Sequence, residues 1–224
     1  MRRYLRESSL SLFFLALFLA SLVGQALVGH VDFNNQQLAH QDPTLSLGRY
    51  ITSSAFMVDV MENWQSEYLQ FTLFIFATVW LVQRGSTESK PVGQEGTESD
   101  EEQKIGEHAE PDSPAWAKVG GWRLFVYSNS LLMLMVLIWL GSWLAQLVTG
   151  RIEYNAEQFD HQQAALDLWQ YAGTAEFWNR TLQNWQSEFL AVASMVVFSI
   201  WLRQRGSPES KPVGEPHAST GAQG

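Results

Sequence analysis

The sequence predicts an all-α membrane protein whose four transmembrane helices form two tandem helical hairpins, related as parallel repeats. Three observations predict it: four apolar blocks, a match between the two halves at a fixed offset, and an uneven distribution of Lys and Arg. The mean hydropathy of −0.11 resembles that of a soluble protein. That average is misleading here, because apolar residues are concentrated in the four blocks and polar residues in the segments between them.

The two halves of the chain match at an offset of 121 residues. The stretch Asn-Trp-Gln-Ser-Glu at 63–67 recurs at 184–188 (184 − 63 = 121), and Gln-Arg-Gly-Ser at 83–86 recurs at 204–207. The alignment runs without a gap from 1–93 to 122–214. Roughly a third of the aligned positions are identical, more than a shared apolar character would produce. The pattern indicates a duplicated unit.

This duplication predicts the domain boundaries. Residues 1–93 form the first hairpin repeat and 122–214 the second. Between them, 94–121 is rich in Glu, Ser, Gly and Pro, a composition that buries too little apolar surface to fold. We predict a disordered acidic cytoplasmic linker there, and a disordered tail at 215–224.

The predicted spans are 10–28, 64–82, 124–148 and 185–202. The first and third apolar blocks are long enough for a hydrocarbon core of about 30 Å, which needs about 20 residues. The second and fourth are shorter, so they span only if the turns before them enter the outer interface. Trp64 and Trp185 are the predicted outer anchors and Trp80 and Trp201 the inner ones, since tryptophan favours both interfaces.

Two alternatives to four spans are disfavoured. A soluble four-helix bundle keeps a polar stripe on each helix, whereas 131–140 is apolar on every face. The first block also fits a secretory signal peptide, with three arginines before an apolar run. Its repeat partner lies in the middle of the chain, where a signal peptide has no role, so an uncleaved span is expected.

Orientation follows from the positive residues, which concentrate on the cytoplasmic side. The segments within the two hairpins hold three Lys and Arg residues, and the N-terminal segment, linker and tail hold the other eleven of the fourteen. Both termini are therefore predicted to be cytoplasmic. The two hairpin connections, each about 30–40 residues and predicted to hold a short helix, lie outside.

A polar cluster is predicted near the outer end of the helices. Its members, in two repeat-related sets, are Gln25, Asn63, Gln65, Glu67 and Gln146, Asn184, Gln186, Glu188. A carboxylate inside a membrane indicates a proton or cation site. Alternatively, Glu67 and Glu188 place negative charge near a helix N-terminus while the amides join the helices. The structural alternative is favoured, because a charge at the membrane boundary costs little.

The matched histidines His40 and His161 are the remaining candidate site, for a metal or a pH response. No second ligand has suitable spacing, so ordinary loop histidines are favoured and no metal is predicted. Cysteine is absent, which excludes disulfides and thiolate chemistry. The net charge of −9 argues against nucleic acid. Since phosphate loops, nucleophile elbows and dinucleotide motifs are also absent, no enzyme activity and no cofactor are predicted.

The Asn-Trp-Gln-Ser-Glu-[Phe/Tyr]-Leu and Gln-Arg-Gly-Ser-x-Glu-Ser-Lys motifs, together with the Arg-Arg-Tyr-Leu-Arg opening, support a resemblance. The chain resembles a bacterial family of small multi-pass membrane proteins known as a domain of unknown function. This resemblance implies a multi-pass protein of the bacterial cell (inner) membrane, and it supplies no activity.

The functional prediction is a non-enzymatic structural or interaction component of that membrane. Its expected partners are the lipid bilayer and either a second copy of the chain or another membrane protein. The alternative is a small transporter or channel that uses the membrane-edge carboxylates. A membrane enzyme ranks last, because no catalytic constellation is recognisable.

Overall fold

The computed structural model describes residues 2–222, with residues 2 and 4 through their backbone alone. Over that range it contains helices and no β-strand, which confirms the all-α prediction for the described chain. The α-helices are α1 (Arg2–Glu7), α2 (Ser9–Ala39), α3 (Leu47–Tyr50), α4 (Ser54–Trp80), α5 (Trp122–Ser128), α6 (Ser130–Asp160), α7 (Leu168–Ala172) and α8 (Ala175–Phe198). One 3-10 helix, Gly106–His108, lies in the segment between α4 and α5.

Two helices, α2 and α6, are long and apolar enough to cross a membrane. Each has 31 residues and is therefore about 46 Å long, against a hydrocarbon core of about 30 Å. No described residue of α2 is buried, and Phe13 and Phe14 are 58% and 60% exposed. An apolar surface of this extent marks a membrane or protein contact.

The helices α4 and α8 have 27 and 24 residues but lack a sufficiently apolar stretch of that kind. Polar residues such as Gln65, Glu67 and Gln70 interrupt the apolar run of α4, and Glu188 interrupts that of α8. The structure therefore supplies two candidate spans. The four-span arrangement stays a prediction.

The helix boundaries differ from the predicted spans. α2 continues to Ala39, eleven residues past the predicted end of the first span. The third span is interrupted at Asn129, between α5 and α6, where the Asn129 side-chain amide donates to the carbonyl of Phe125 (2.8 Å). α4 and α8 both begin ten residues before the predicted span, and they end two and four residues before its end.

Side-chain caps explain the early starts of α4 and α8. The backbone N–H of Phe56 donates to Ser53 Oγ (3.3 Å), and that of Phe177 donates to Thr174 Oγ1 (3.2 Å). Each cap satisfies an N–H that has no partner within the helix. Equivalent helices therefore begin 121 residues apart, at 9 and 130, 47 and 168, and 54 and 175.

The chain forms two compact units. The first comprises the chain up to Met61 together with Ala145–Tyr171, and the second comprises Glu62–Leu144 together with the chain after Tyr171. The first unit contains α2 and both hairpin connections. The second contains most of α4, the segment between α4 and α5, α8 and the chain after α8.

In the first unit, both hairpin connections are closed by an asparagine. Asn34 Nδ2 donates to the carbonyl of Leu45 (2.9 Å), and the N–H of Leu45 donates back to Asn34 Oδ1 (2.8 Å). Asn155 makes the same two bonds to Leu166, at 2.9 and 2.8 Å. The amide thereby satisfies the donor and the acceptor of one loop residue. The short helices α3 and α7 follow, as predicted.

Each connection then packs a tyrosine against a glycine. The hydroxyl of Tyr50 lies where a Cβ of Gly29 would stand, and that of Tyr171 lies 2.6 Å from the equivalent point at Gly150. Tyr50 and Tyr171 are 4% and 1% exposed. Since any larger residue would collide with the ring, these two positions require glycine for close approach.

Candidate polar site between α4 and α8

A hydrogen bond between side chains joins α8 to α4 within the second unit. The indole Nε1 of Trp185 donates to Gln65 Oε1 (2.8 Å). Gln65 is fully buried, and Leu69 and Thr72, four and seven residues later on the same helical face, are 4% and 7% exposed. Gln65 Nε2 has no acceptor among the described residues.

The carboxylates of the predicted cluster lie beside this bond. Ser66, which is 1% exposed, makes a side-chain hydrogen bond with Glu188, and Glu67 is close enough to Glu188 for electrostatic repulsion. One turn before the Gln65 bond, Arg180 Nε lies 2.7 Å from Glu62 Oε2. The contact thus combines one ion pair, hydrogen bonds and two facing carboxylates.

The predicted cluster residues do not all come together. Glu67 lies close to Glu188, Gln65 bonds instead to Trp185, and the side chains of Asn63 and Gln186 are exposed. Asn184 is half-buried and donates to the carbonyl of Arg180 on its own helix (2.9 Å). Gln25, half-buried, and Gln146, 1% exposed, belong to the other unit. The two repeats also differ, because Gln65 is buried and its counterpart Gln186 is exposed.

Trp143, which the sequence analysis did not select, links Trp185 to two further tryptophans. Trp143 of α6 lies 6.0 Å from Trp185 between ring centroids, stacks on Trp139 at 6.0 Å and meets Trp178 edge-on at 6.0 Å. Such aromatic pairs add about 0.5–1.5 kcal/mol each beyond the area that they bury. Trp139 and Trp143 are four residues apart in an apolar helix, and this spacing in the sequence could have indicated that their rings lie on one face.

The predicted interface anchors separate into two kinds. Trp80 and Trp201 are 54% and 55% exposed, and their role as interface anchors stays a prediction. Trp64 and Trp185 are half-buried, and the indole N–H of Trp185 bonds to Gln65 rather than facing solvent.

The repeated Gln-Arg-Gly-Ser-x-Glu-Ser-Lys motif forms the same turn twice. The N–H of Gln83 donates to Ser89 Oγ (2.8 Å), and that of Gln204 donates to Ser210 Oγ (2.9 Å). Gly85 and Gly206, with φ of 86° and 82°, occupy the left-handed region that glycine tolerates.

The lysines that end the two motifs bind backbone carbonyls. Lys90 Nζ donates to Gly96 O (2.7 Å) and pairs with Glu98 (2.5 Å). Lys211, 1% exposed, donates to Gly85 O (2.6 Å) and His217 O (2.9 Å). Burial lowers the pKa of Lys211 below its ordinary value, with Arg203 contributing in the same direction.

A cavity of about 180 Å³ lies between α4 and α8 beside these motifs. Its eight lining residues form four pairs, each 121 residues apart: Gln70 and Ala191, Phe71 and Val192, Phe74 and Met195, Glu88 and Glu209. Burial raises the pKa of Glu88 above its usual value, and repulsion from Glu209 adds to the rise. Neither carboxylate forms an ion pair with a described residue.

The two matched histidines are exposed and lie where α2 and α6 end. Gln41 and Gln162, the residues after His40 and His161, have φ of 65° and 56°, so the backbone turns in the same way after both histidines. Across residues 2–222, no group of three or more His, Asp or Glu side chains is arranged to hold a metal ion.

Comparison with known proteins gives one match. A family model described as a domain of unknown function (DUF6766) matches residues 1–222. No curated protein and no solved structure matches the chain.

Proposed function

The chain belongs to the DUF6766 family, and we propose that it is a bacterial inner-membrane protein that crosses the bilayer four times as two tandem hairpins. In this proposal α4 and α8 are spans as well as α2 and α6. At 27 and 24 residues they are about 40 and 36 Å long, enough for a hydrocarbon core of about 30 Å.

Two polar contacts between α4 and α8 support a membrane position for these helices. In a bilayer, unsatisfied polar groups cost several kcal/mol, so such groups face protein partners. Gln65 accepts from Trp185, and Ser66 bonds with Glu188. The predicted orientation, with both termini in the cytoplasm, rests on the distribution of Lys and Arg.

The proposed role is structural or interaction-based and non-enzymatic. The observation that carries it is the Trp185–Gln65 bond, in which the buried side-chain oxygen of Gln65 on α4 accepts from α8. Helix association in membranes relies on such interhelical hydrogen bonds and close packing. The exposed apolar surface of α2 is then available to lipid, to a second copy of the chain or to another membrane protein.

Substituted-cysteine labelling tests the topology cleanly in this cysteine-free chain. We would place single cysteines at His40, Glu102 and His161 and treat intact cells with a membrane-impermeant thiol reagent. Four spans predict labelling at His40 and His161 and protection at Glu102 until the cells are permeabilised. If only α2 and α6 cross the membrane, Glu102 should be labelled in intact cells and His161 should be protected, and that result would contradict the proposal.

A small transporter or channel is the second candidate, favoured by the cavity between α4 and α8 with its two carboxylates. A cysteine at Gln70 or Ala191, both in the cavity wall, separates the candidates. Labelling of the same position from each side, in intact cells and in inside-out vesicles, would favour transport. Labelling from one side only, or from neither, would favour the structural role.

A further inference from the structure

The cavity between α4 and α8 has a wall that is apolar in composition and acidic at one point. Phe71, Phe74, Ala191, Val192 and Met195 are its apolar lining residues, and Glu88 and Glu209 supply the charge. Its volume of about 180 Å³ suits a ligand of the size of one aromatic ring, since a cavity of about 150 Å³ accommodates benzene.

The two carboxylates at the cavity lack a counter-charge. Among residues 2–222, neither Glu88 nor Glu209 forms an ion pair, and the nearest charged influence on Glu88 is the repulsion from Glu209. The lysines of the two motifs do not pair with them, since Lys211 binds carbonyl oxygens and Lys90 pairs with Glu98. Two like charges held together in this way are stabilised by a positive ligand placed between them.

The aromatic rings favour the same class of ligand. Phe71 and Phe74 are one turn apart on α4 and both line the cavity. The face of a phenyl ring attracts an organic cation, with about 0.5–2 kcal/mol for each well-placed contact. Quaternary ammonium groups are bound by such rings, and they resist desolvation less than an inorganic ion does.

We propose that this cavity binds a small organic cation with an apolar body, its charge at Glu88 and Glu209 and its body against Phe71, Phe74, Val192 and Met195. The cation neutralises the carboxylate pair, and the apolar body removes water from the cavity wall. The site is additional to the structural role, and it stands or falls independently of the number of spans.

Calorimetric titration of the purified full chain in detergent tests the site. The probe is benzyltrimethylammonium, with tetramethylammonium as the cation without a ring and phenylmethanesulfonate as the ring with negative charge. We expect the probe to bind at least about tenfold more tightly than either control, a difference of about 1.4 kcal/mol. Equal affinities for the two ring compounds, or probe binding weaker than about 1 mM, would overturn the proposal.

Variants locate the binding. The double variant E88Q/E209Q should lose at least about tenfold in probe affinity, while E102Q/E107Q, with two exposed acids of the linker changed, should bind as the parent does. Met195→Trp fills the cavity without changing charge and should also abolish binding. Unchanged affinity in E88Q/E209Q or in Met195→Trp would refute the site. Circular dichroism and thermal unfolding verify that each variant is folded, and Val192→Phe replaces Met195→Trp if the latter is not.

Discussion

Trp185 donates its indole N–H to the side-chain carbonyl of Gln65, and the two residues come from the same five-residue motif in its two occurrences. The first copy supplies the acceptor and the second copy supplies the donor. The motif therefore binds its own repeat, which explains why an amide and an indole occur side by side in it.

Trp185→Phe should lower the free energy of unfolding by about 1 kcal/mol. The variant keeps an aromatic ring but leaves the buried Gln65 oxygen without its donor. Leaving a buried acceptor unpaired costs about 1–3 kcal/mol, and interhelical hydrogen bonds in membranes contribute about 0.6 kcal/mol on average, so the expected loss lies at the lower end of that range. Unfolding in detergent measures the change. Trp80→Phe, at a 54% exposed indole, is the matched control and should be nearly neutral.

A double-mutant cycle then isolates the bond. Replacing both polar groups is less costly than removing one, because no buried acceptor remains unpaired. Trp185→Phe combined with Gln65→Met should therefore be less destabilised than the sum of the single variants. Strict additivity would show that the contact contributes nothing.

Asn155→Ala should open the second hairpin connection. The N–H and carbonyl of Leu166 lose their partners, and the expected cost is about 1–2 kcal/mol for local opening. Amide hydrogen exchange at Leu166 should accelerate about tenfold or more. The control is Asn35→Ala, a change at the exposed residue next to Asn34 in the first connection. Exchange at Leu45, the counterpart of Leu166, should stay unchanged in that variant, and an equal acceleration at Leu45 would contradict the role assigned to the asparagine.

Gly29→Ala should destabilise the first unit by about 1–3 kcal/mol, because the added methyl group collides with the Tyr50 hydroxyl. Tyr50→Phe removes the colliding atom, so the combination G29A/Y50F should recover most of the loss in a thermal unfolding experiment. Gly24→Ala, whose Cβ would meet no atom within 4 Å, should be neutral or slightly stabilising. Failure of Tyr50→Phe to rescue would disprove the close packing.

The stability of the chain should depend on Glu88 as pH changes. Its pKa is raised above the usual 4.5 by burial and by Glu209, with the Thr87 hydroxyl opposing the rise. The folded state therefore binds the proton more tightly than the unfolded chain, and the free energy of unfolding falls as pH rises from 4.5 through the raised pKa.

Glu88→Gln should remove that fall. The variant gains about 0.5 kcal/mol on the parent at neutral pH, a modest figure because Glu88 is half-exposed. Unfolding between about pH 4 and pH 8 measures it. Glu102→Gln is a control with the opposite sign. The hydrogen bond from Ser99 lowers the pKa of Glu102, so Glu102 contributes stability above its unfolded pKa, and that contribution is lost as pH falls through the lowered pKa. A parallel pH profile for Glu88→Gln and the parent would count against the assignment.

The helical class was predictable because long apolar blocks such as 10–28 allow few other structures. The helix ends were less predictable. α2 continues to Ala39, and within it Asn34 bonds to Leu45 of the connection that follows. No pattern of hydropathy reports a bond between an amide and a backbone eleven residues away.

The candidate site was predicted in part. Gln65, Glu67 and Glu188 were selected from their position at the start of an apolar run; Glu67 and Glu188 lie close to each other, whereas Gln65 bonds to Trp185. The sequence did not indicate which copy would bury its glutamine. It also did not link Glu88 and Glu209 to α4 and α8, because they lie outside the apolar blocks and reach the cavity only through the folded motif turns.

The cavity walls are unequal in a way that a symmetric assembly would not allow. A dimer of identical hairpins must present the same side chains on both sides of its axis. Here Gln70, Phe71 and Phe74 stand opposite the smaller or more flexible Ala191, Val192 and Met195. One wall has two aromatic side chains and the other has only aliphatic ones, so the two sides of a bound molecule meet different surroundings. Joining two hairpins in one chain lets the enclosed space become directional, which a twofold-symmetric dimer of identical hairpins does not allow.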